Sequence, residues 1–238
     1  MVERVTRCLA EQDAKFSGRR QAETFAAEFE SACDGEEIVM STPVMTNAGR
    51  YPDRPLTACA VPSADVTASE TLRLRHEVLE LHEQGMGTGF ALDETEDPVA
   101  TLRFLNQVAV DSAASEREDR PVGNMAILSV RHPKIHEFIT AKTDAASGAT
   151  DWKFNISVNL DNAFMTAVRE GERVQLDDGR HVDAGHLFDD LCHAAAISAD
   201  PGVVFLHRMN ARNPLPGMGA YTTTAPCAEV GLIAGETC

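Results

Sequence analysis

The chain has 238 residues, 43% hydrophobic and 24% charged, enough for one ordinary core and a small helical appendage. Its 37 acidic against 21 basic residues leave a net charge of -16, which argues against nucleic acid as a partner because phosphate binding needs a basic surface. No apolar run approaches the roughly 18 residues of a membrane span, and the opening MVERVTRCLAEQDAKF lacks an apolar signal core, so the chain is expected in the cytoplasm, with no membrane partner and its cysteines reduced.

Residues 1–33 predict two helices. Val2, Val5, Cys8 and Leu9 recur at helical spacing, as do Phe25, Ala26 and Phe29. Ser17-Gly18 breaks the pair and Gly35 ends it. Residues 38–49 are Pro-interrupted and close on a turn signal. Residues 56–61 read as a short apolar strand. An amphipathic helix is expected over 67–84, with Leu72, Val78, Leu79 and His82 near one face and Gly85 as its stop. GMGTGF at 85–90 reads as a glycine-rich turn into a short strand.

A helix over 98–109 carries the stripe Val99, Leu102, Leu105 and Val108, and 112–120 reads as a charged, exposed loop. A strand at 125–130, a helix at 133–142 and a small-residue loop at 144–150 follow. FNISVNL at 154–160 alternates like a strand, and 162–169 is helical. Turns fall at Gly171 and Asp178-Gly179, then come a helix at 187–198, a strand at 203–206 and an irregular loop at 213–219. The end, TTTAPCAEVGLIAGETC, reads as loop, short strand and loop. Strands alternating with helices from about residue 56 predict an α/β fold with a parallel component. The helical N-terminus, 1–37, stands apart from 38–238.

The six cysteines form no CxxC pair and no zinc-finger spacing. Cys8, Cys33 and Cys192 lie in helical stretches, where a buried apolar role is expected. Cys59, Cys227 and Cys238 lie in loops or at strand ends and are the candidates for chemistry. His132 and His136 have a metal-ligand spacing, but Pro133 intervenes and no third ligand is apparent, so no metal is expected.

Eight motifs then fall in order: STPVMTNAG at 41–49, TACAVP at 57–62, GMGTGF at 85–90, GNMAILSVRHPKIHEFITAK at 123–142, FNISVNLDNAFMTAV at 154–168, DPGVVFLHRMNARNP at 200–214, APCAEVGL at 225–232 and ETC at 236–238. Together they resemble the catalytic subunit of ribonucleotide reductases, most like the adenosylcobalamin-dependent class. The resemblance implies a ten-stranded α/β barrel made of two parallel five-stranded halves, of which 38–238 is the first. It implies reduction of a ribonucleotide to its 2′-deoxy form by radical chemistry.

Residue by residue, the resemblance assigns the thiyl radical to Cys227 and general-base catalysis to Glu229. In a strand these two would face the same way. It assigns the redox dithiol to Cys59 and Cys238, substrate contacts to Thr42, Ala58 and Gly87, and a place near the allosteric effector to Asp65. It implies adenosylcobalamin as cofactor, which the lack of an ATP-cone segment also favours, and a thioredoxin-like or other dithiol as reductant. A complementary C-terminal half or a second copy would complete the barrel. Ala225 and Ala228 stand where the family has Asn and Gly, and the acidic side chains at 93–97 would repel a triphosphate effector. The alternatives are a non-catalytic fragment or paralogue that binds a nucleotide or complementary chain, and a divergent radical enzyme acting on a modified nucleotide.

Overall fold

A computed structural model of the chain describes residues 1–67, 69–113, 122–143 and 150–238. The loops expected at 112–120 and 144–150 lie, apart from their edges, outside the described residues. Two compact units form, Met1–Ala58 and Cys59–Cys238.

In the first unit, α1 (Val2–Ser17) and α2 (Arg19–Asp34) meet at Gly18, whose φ of 88° suits a residue without Cβ. Val5, Met40 and Ala48 form its small core, with Leu9, Phe29 and Val44 packed around them. The Pro-interrupted segment at 38–49 contains a helix, α3 (Thr42–Asn47). Pro43 lies in its first turn, where a missing N–H costs no hydrogen bond. The Arg4 guanidinium closes the other end by donating to the carbonyls of Met45 and Ala48.

The second unit is built on five parallel strands: β1 (Cys59–Ala60), β2 (Gly87–Ala91), β3 (Asn124–Ser129), β4 (Phe154–Asn159) and, after an intervening hairpin of β5 (Arg173–Gln175) and β6 (His181–Asp183), β7 (Gly202–Val204). They lie in the order β1-β2-β3-β4-β7, as expected of a parallel five-stranded half. The crossovers are α4 (Thr71–Glu83), α5 (Pro98–Ala113), α6 (Ile135–Thr140), α7 (Asn162–Glu170) and α8 (Ala184–Ser198). Beyond β7 come α9 (Leu206–Asn210), a 3-10 turn at Pro216–Met218, and an antiparallel hairpin of β8 (Thr223–Thr224) and β9 (Gly231–Leu232).

One face of the sheet makes the main core. Phe90, Ala126, Leu128, Phe154, Ile156 and Val158 pack with Leu74 and Val78 of α4, Leu102 and Leu105 of α5, Phe138 of α6, Phe164 of α7 and Leu187 of α8. Asp161 and Asp183 cap α7 and α8 by accepting from the backbone N–H of Phe164 and His186. At the edge of this core the Lys142 ammonium is paired with Asp200 and also donates to the Phe154 carbonyl at 2.7 Å.

Helix α4 starts four residues later than expected, and Leu72 is 84% exposed. Its inner stripe is Leu74, Val78 and His82, spaced by four. Cys192 is exposed on α8 rather than buried, because the inward positions there are Leu187, Leu191 and Ala194. The hairpin β5–β6 and helix α9 were not expected. Among the described residues no helix is long and apolar enough to cross a membrane.

Candidate active site

Parallel register fixes which residues share the second face of the sheet. Cys59 pairs with Gly87, Gly89 with Met125, Met125 with Asn155, and Ile127 with Ser157. These residues alternate with the core-facing Phe90, Ala126 and Ile156, so they point to the opposite side. That side is small and polar at β2 and β4, and it holds the hairpin β8–β9. A Cβ on Gly89 would overlap the Thr224 carbonyl oxygen, and one on Gly87 would come within 2.8 Å of the Pro226 ring. Gly85 makes the expected turn, with φ 79° and open space around it, and Gly87 and Gly89 open the expected strand, where they allow a close backbone approach.

The hairpin tip holds Cys227 and Glu229, both exposed. The expectation of a strand fails at these two residues. Residues 226–230 form a turn, with Ala225 N–H donating to Val230 O at 3.0 Å and Ala228 N–H donating to Ala225 O at 2.9 Å. Ala228 has φ 61°, the left-handed conformation that a glycine adopts freely and alanine adopts at a cost. Cys227 and Glu229 are brought together by the turn itself: the Cys227 backbone N–H donates to Glu229 Oε2 at 3.1 Å. The tip is tied to the sheet by Asn155 of β4, whose Nδ2 donates to the Pro226 carbonyl at 2.9 Å.

Cys59 projects onto this same face, where it packs with Val61, Ala225 and Leu232. The terminal segment runs antiparallel along β1. Val61 N–H donates to Glu236 O, Gly235 N–H to Val61 O and Cys238 N–H to Cys59 O, at 2.9–3.0 Å. This ladder brings Cys238 beside Cys59, with Cα atoms 5.4 Å apart, and the two form a disulfide.

Thr42 is an exposed residue at the start of α3, in the first unit, and Ala58 is that unit's last residue. Asp65 is exposed in the loop between β1 and α4. Its neighbours Val66 and Thr67 line a cavity of about 500 Å³ together with Phe104 and the carboxylates Glu94, Glu96 and Asp97. His132 is buried, with Nδ1 accepting from the Lys134 N–H and Nε2 at 3.1 Å from the Thr95 carbonyl. Among the described residues no group of three or more His, Cys, Asp or Glu is placed to hold a metal ion.

Sequence reasoning missed three contributors. Gly89 and Pro226 set the hairpin's approach, and Asn155 anchors it. Asn155 had a signal: in FNISVNL the residues Asn155, Ser157 and Asn159 alternate with Phe154, Ile156 and Val158, a polar face unusual in a parallel strand. A buried polar cluster also lies on the core side of the β2–β3 pair. His82 Nδ1 is 2.9 Å from Ser112 Oγ, and Nε2 is 2.9 Å from Asn124 Oδ1. Asn124 Oδ1 also accepts from the Thr88 hydroxyl at 2.6 Å, and its Nδ2 donates to the Lys153 carbonyl at 2.9 Å. Burial lowers the His82 pKa to about 4, with the Asn124 hydrogen bond opposing that shift, so the ring is neutral at pH 7.

The sequence profile of the family described as ribonucleotide reductase, barrel domain, matches residues 58–238. The chain is 32% identical over 262 residues to a vitamin B12-dependent ribonucleoside-diphosphate reductase of Mycobacterium tuberculosis (strain H37Rv), covering 100% of this chain and 36% of that protein. It is 29% identical over 231 residues to the protein of the same name from Thermoplasma acidophilum, covering 88% and 29% of the two chains. It is 26% identical over 267 residues to a vitamin B12-dependent ribonucleotide reductase of Streptomyces coelicolor, covering 96% and 28%. The chain therefore spans about a third of the length of these relatives.

Proposed function

We propose, from the premise that the chain belongs to the ribonucleotide reductase family and carries its barrel domain, that it is the thiol-bearing half of an enzyme reducing ribonucleotides to 2′-deoxyribonucleotides. One observation carries the reading: the β8–β9 hairpin holds Cys227 and Glu229 over the sheet face onto which Cys59 projects, with Cys238 bonded to Cys59. A complementary half, pairing at the β7 edge, completes the barrel. The cytoplasm supplies the dithiol pool such a redox pair needs.

The chemistry follows from those groups. As a thiyl, Cys227 takes the 3′ hydrogen of the ribose. Glu229 accepts the 3′-hydroxyl proton as general base and gives it back to the 3′-oxygen at the end of the cycle. The 2′-hydroxyl leaves as water while Cys59 and Cys238, as thiols, supply two electrons and two protons and become a disulfide. Cys227 then returns the hydrogen to C3′. In the structure the pair is the disulfide, the spent form, so a thioredoxin-like or other dithiol must reduce it before each turnover. Adenosylcobalamin, when bound, supplies the one-electron oxidising equivalent that makes the Cys227 radical.

The test joins this chain to the remaining barrel of the M. tuberculosis relative and follows ribonucleoside di- and triphosphate reduction with adenosylcobalamin and dithiothreitol. Turnover is expected, and Cys227→Ser abolishes it. Turnover that survives Cys227→Ser overturns the assignment.

A further inference from the structure

We propose that Asn155 is a positioning residue for the chemistry of the hairpin tip, acting through the single peptide group that joins Pro226 to Cys227. The inference rests on the reductase reading and deepens it. That peptide is gripped at both polar ends. Its carbonyl accepts from Asn155 Nδ2 at 2.9 Å, and its N–H donates to Glu229 Oε2 at 3.1 Å.

A peptide group is planar, so holding its oxygen and its nitrogen fixes the plane that contains the Cys227 Cα. Only rotations beyond that Cα then remain to the thiol. The same peptide orients the carboxylate, because its N–H engages one Glu229 oxygen. The two hydrogen bonds also support one another: donation to the carbonyl polarises the amide and makes its N–H a better donor. Pro226 adds rigidity, with its ring 2.8 Å from where a Cβ on Gly87 would be and in van der Waals reach of one on Gly123.

Asn155 comes from β4, an interior strand of the sheet, whereas the tip is an exposed turn. The interior strand thus reaches the exposed turn through one amide. Nothing in the strand's core packing calls for Asn at this position, since its side chain is exposed on the face away from Phe154 and Ile156.

Asn155→Asp is the informative variant, because it keeps the shape and removes the donor at neutral pH. Near pH 4 its carboxyl regains a proton and with it the ability to donate. The readouts, taken on the 238-residue chain, are amide exchange at Cys227, Cys227 alkylation by iodoacetamide resolved by peptide mass mapping, and amide exchange across β3 and β4. At pH 7 the variant should lose about tenfold in Cys227 amide protection, as expected for one hydrogen bond, and change its alkylation rate, with β3 and β4 unaffected. Near pH 4 its Cys227 protection should return towards that of wild type at the same pH. Unchanged protection and alkylation at pH 7 would overturn the proposal. Loss of protection throughout β3 and β4 would overturn it too, by assigning Asn155 to folding. None of these readouts needs turnover, so this inference and the reductase reading fail separately.

Discussion

Acidification should destabilise the folded chain through one identifiable residue, His82. Its pKa of about 4 in the folded state compares with 6.5 for a free imidazole. The cause is burial, against which the Asn124 hydrogen bond pulls only partly. Above pH 6.5 the ring is neutral whether the chain is folded or not, and His82 adds no pH dependence. Between pH 6.5 and 4 the unfolded chain binds a proton that the folded chain refuses, so stability falls as pH falls. Each tenfold difference in proton affinity is worth about 1.4 kcal/mol, which puts the loss across this window at about 3 kcal/mol. Urea unfolding at intervals from pH 7.5 to 4.5 measures it, with His82→Gln as reference. Glutamine keeps hydrogen-bonding capacity towards Asn124 and Ser112 but does not titrate. Subtracting the two curves cancels the carboxylates and the other histidines, and the remaining slope below pH 6 should approach 1.4 kcal/mol per pH unit. Parallel curves for wild type and variant would refute the argument.

Three further outcomes follow from the packing. Gly89→Ala puts a Cβ into the Thr224 carbonyl and should cost about 1–3 kcal/mol while speeding Cys227 alkylation; Gly85→Ala, with φ 79° and open space around it, should cost about 1–2 kcal/mol and leave Cys227 unchanged. Asp200→Ala strands the largely buried Lys142 ammonium and should cost about 3–5 kcal/mol by urea unfolding, part of which Lys142→Met in the same chain should restore. Reducing Cys59–Cys238, which closes a loop of 179 residues, should lower stability by at most about 5 kcal/mol, read as a shift in the urea midpoint with and without dithiothreitol.

The parallel half-sheet was legible because its inner strands carry Phe154, Ile156 and Val158 or Ala126 and Leu128 at strand spacing, and the crossover helices carry stripes such as Leu102, Leu105 and Val108. The break at Gly18 was legible for the same local reason. What stayed hidden depends on contacts remote in sequence. Gly87 and Gly89 show no reason to be glycine until Pro226 and Thr224, more than a hundred positions on, are seen lying against them. The two-residue strands β1, β8 and β9 have too few residues to show a period. Cys227 and Glu229 were found by motif, but the turn joining them was not, because Ala228 carries no sign of its positive φ. The pairing of Cys59 with Cys238 came from resemblance alone. Its structural cause is the antiparallel run of the terminal segment along β1.

That arrangement also gives a physical account of Ala225, at the position where the motif resemblance expects asparagine. Ala225 is fully buried, and its neighbours are Cys59, Val61 and Leu232. Its backbone is already committed, the N–H to Val230 and the carbonyl to Ala228. A side chain at 225 therefore points between the hairpin and β1, not towards the tip. An amide placed among those three apolar neighbours would need polar partners that they do not offer, at a cost of about 1–3 kcal/mol. Alanine suits the packing that seats Cys59 under the hairpin. The tip keeps a polar tether nonetheless, because the Asn155 amide reaches the Pro226 carbonyl, next in sequence to 225, from a different strand. The substitution removes one amide from the hairpin and leaves both its anchorage to the sheet and the exposure of Cys227 and Glu229 in place.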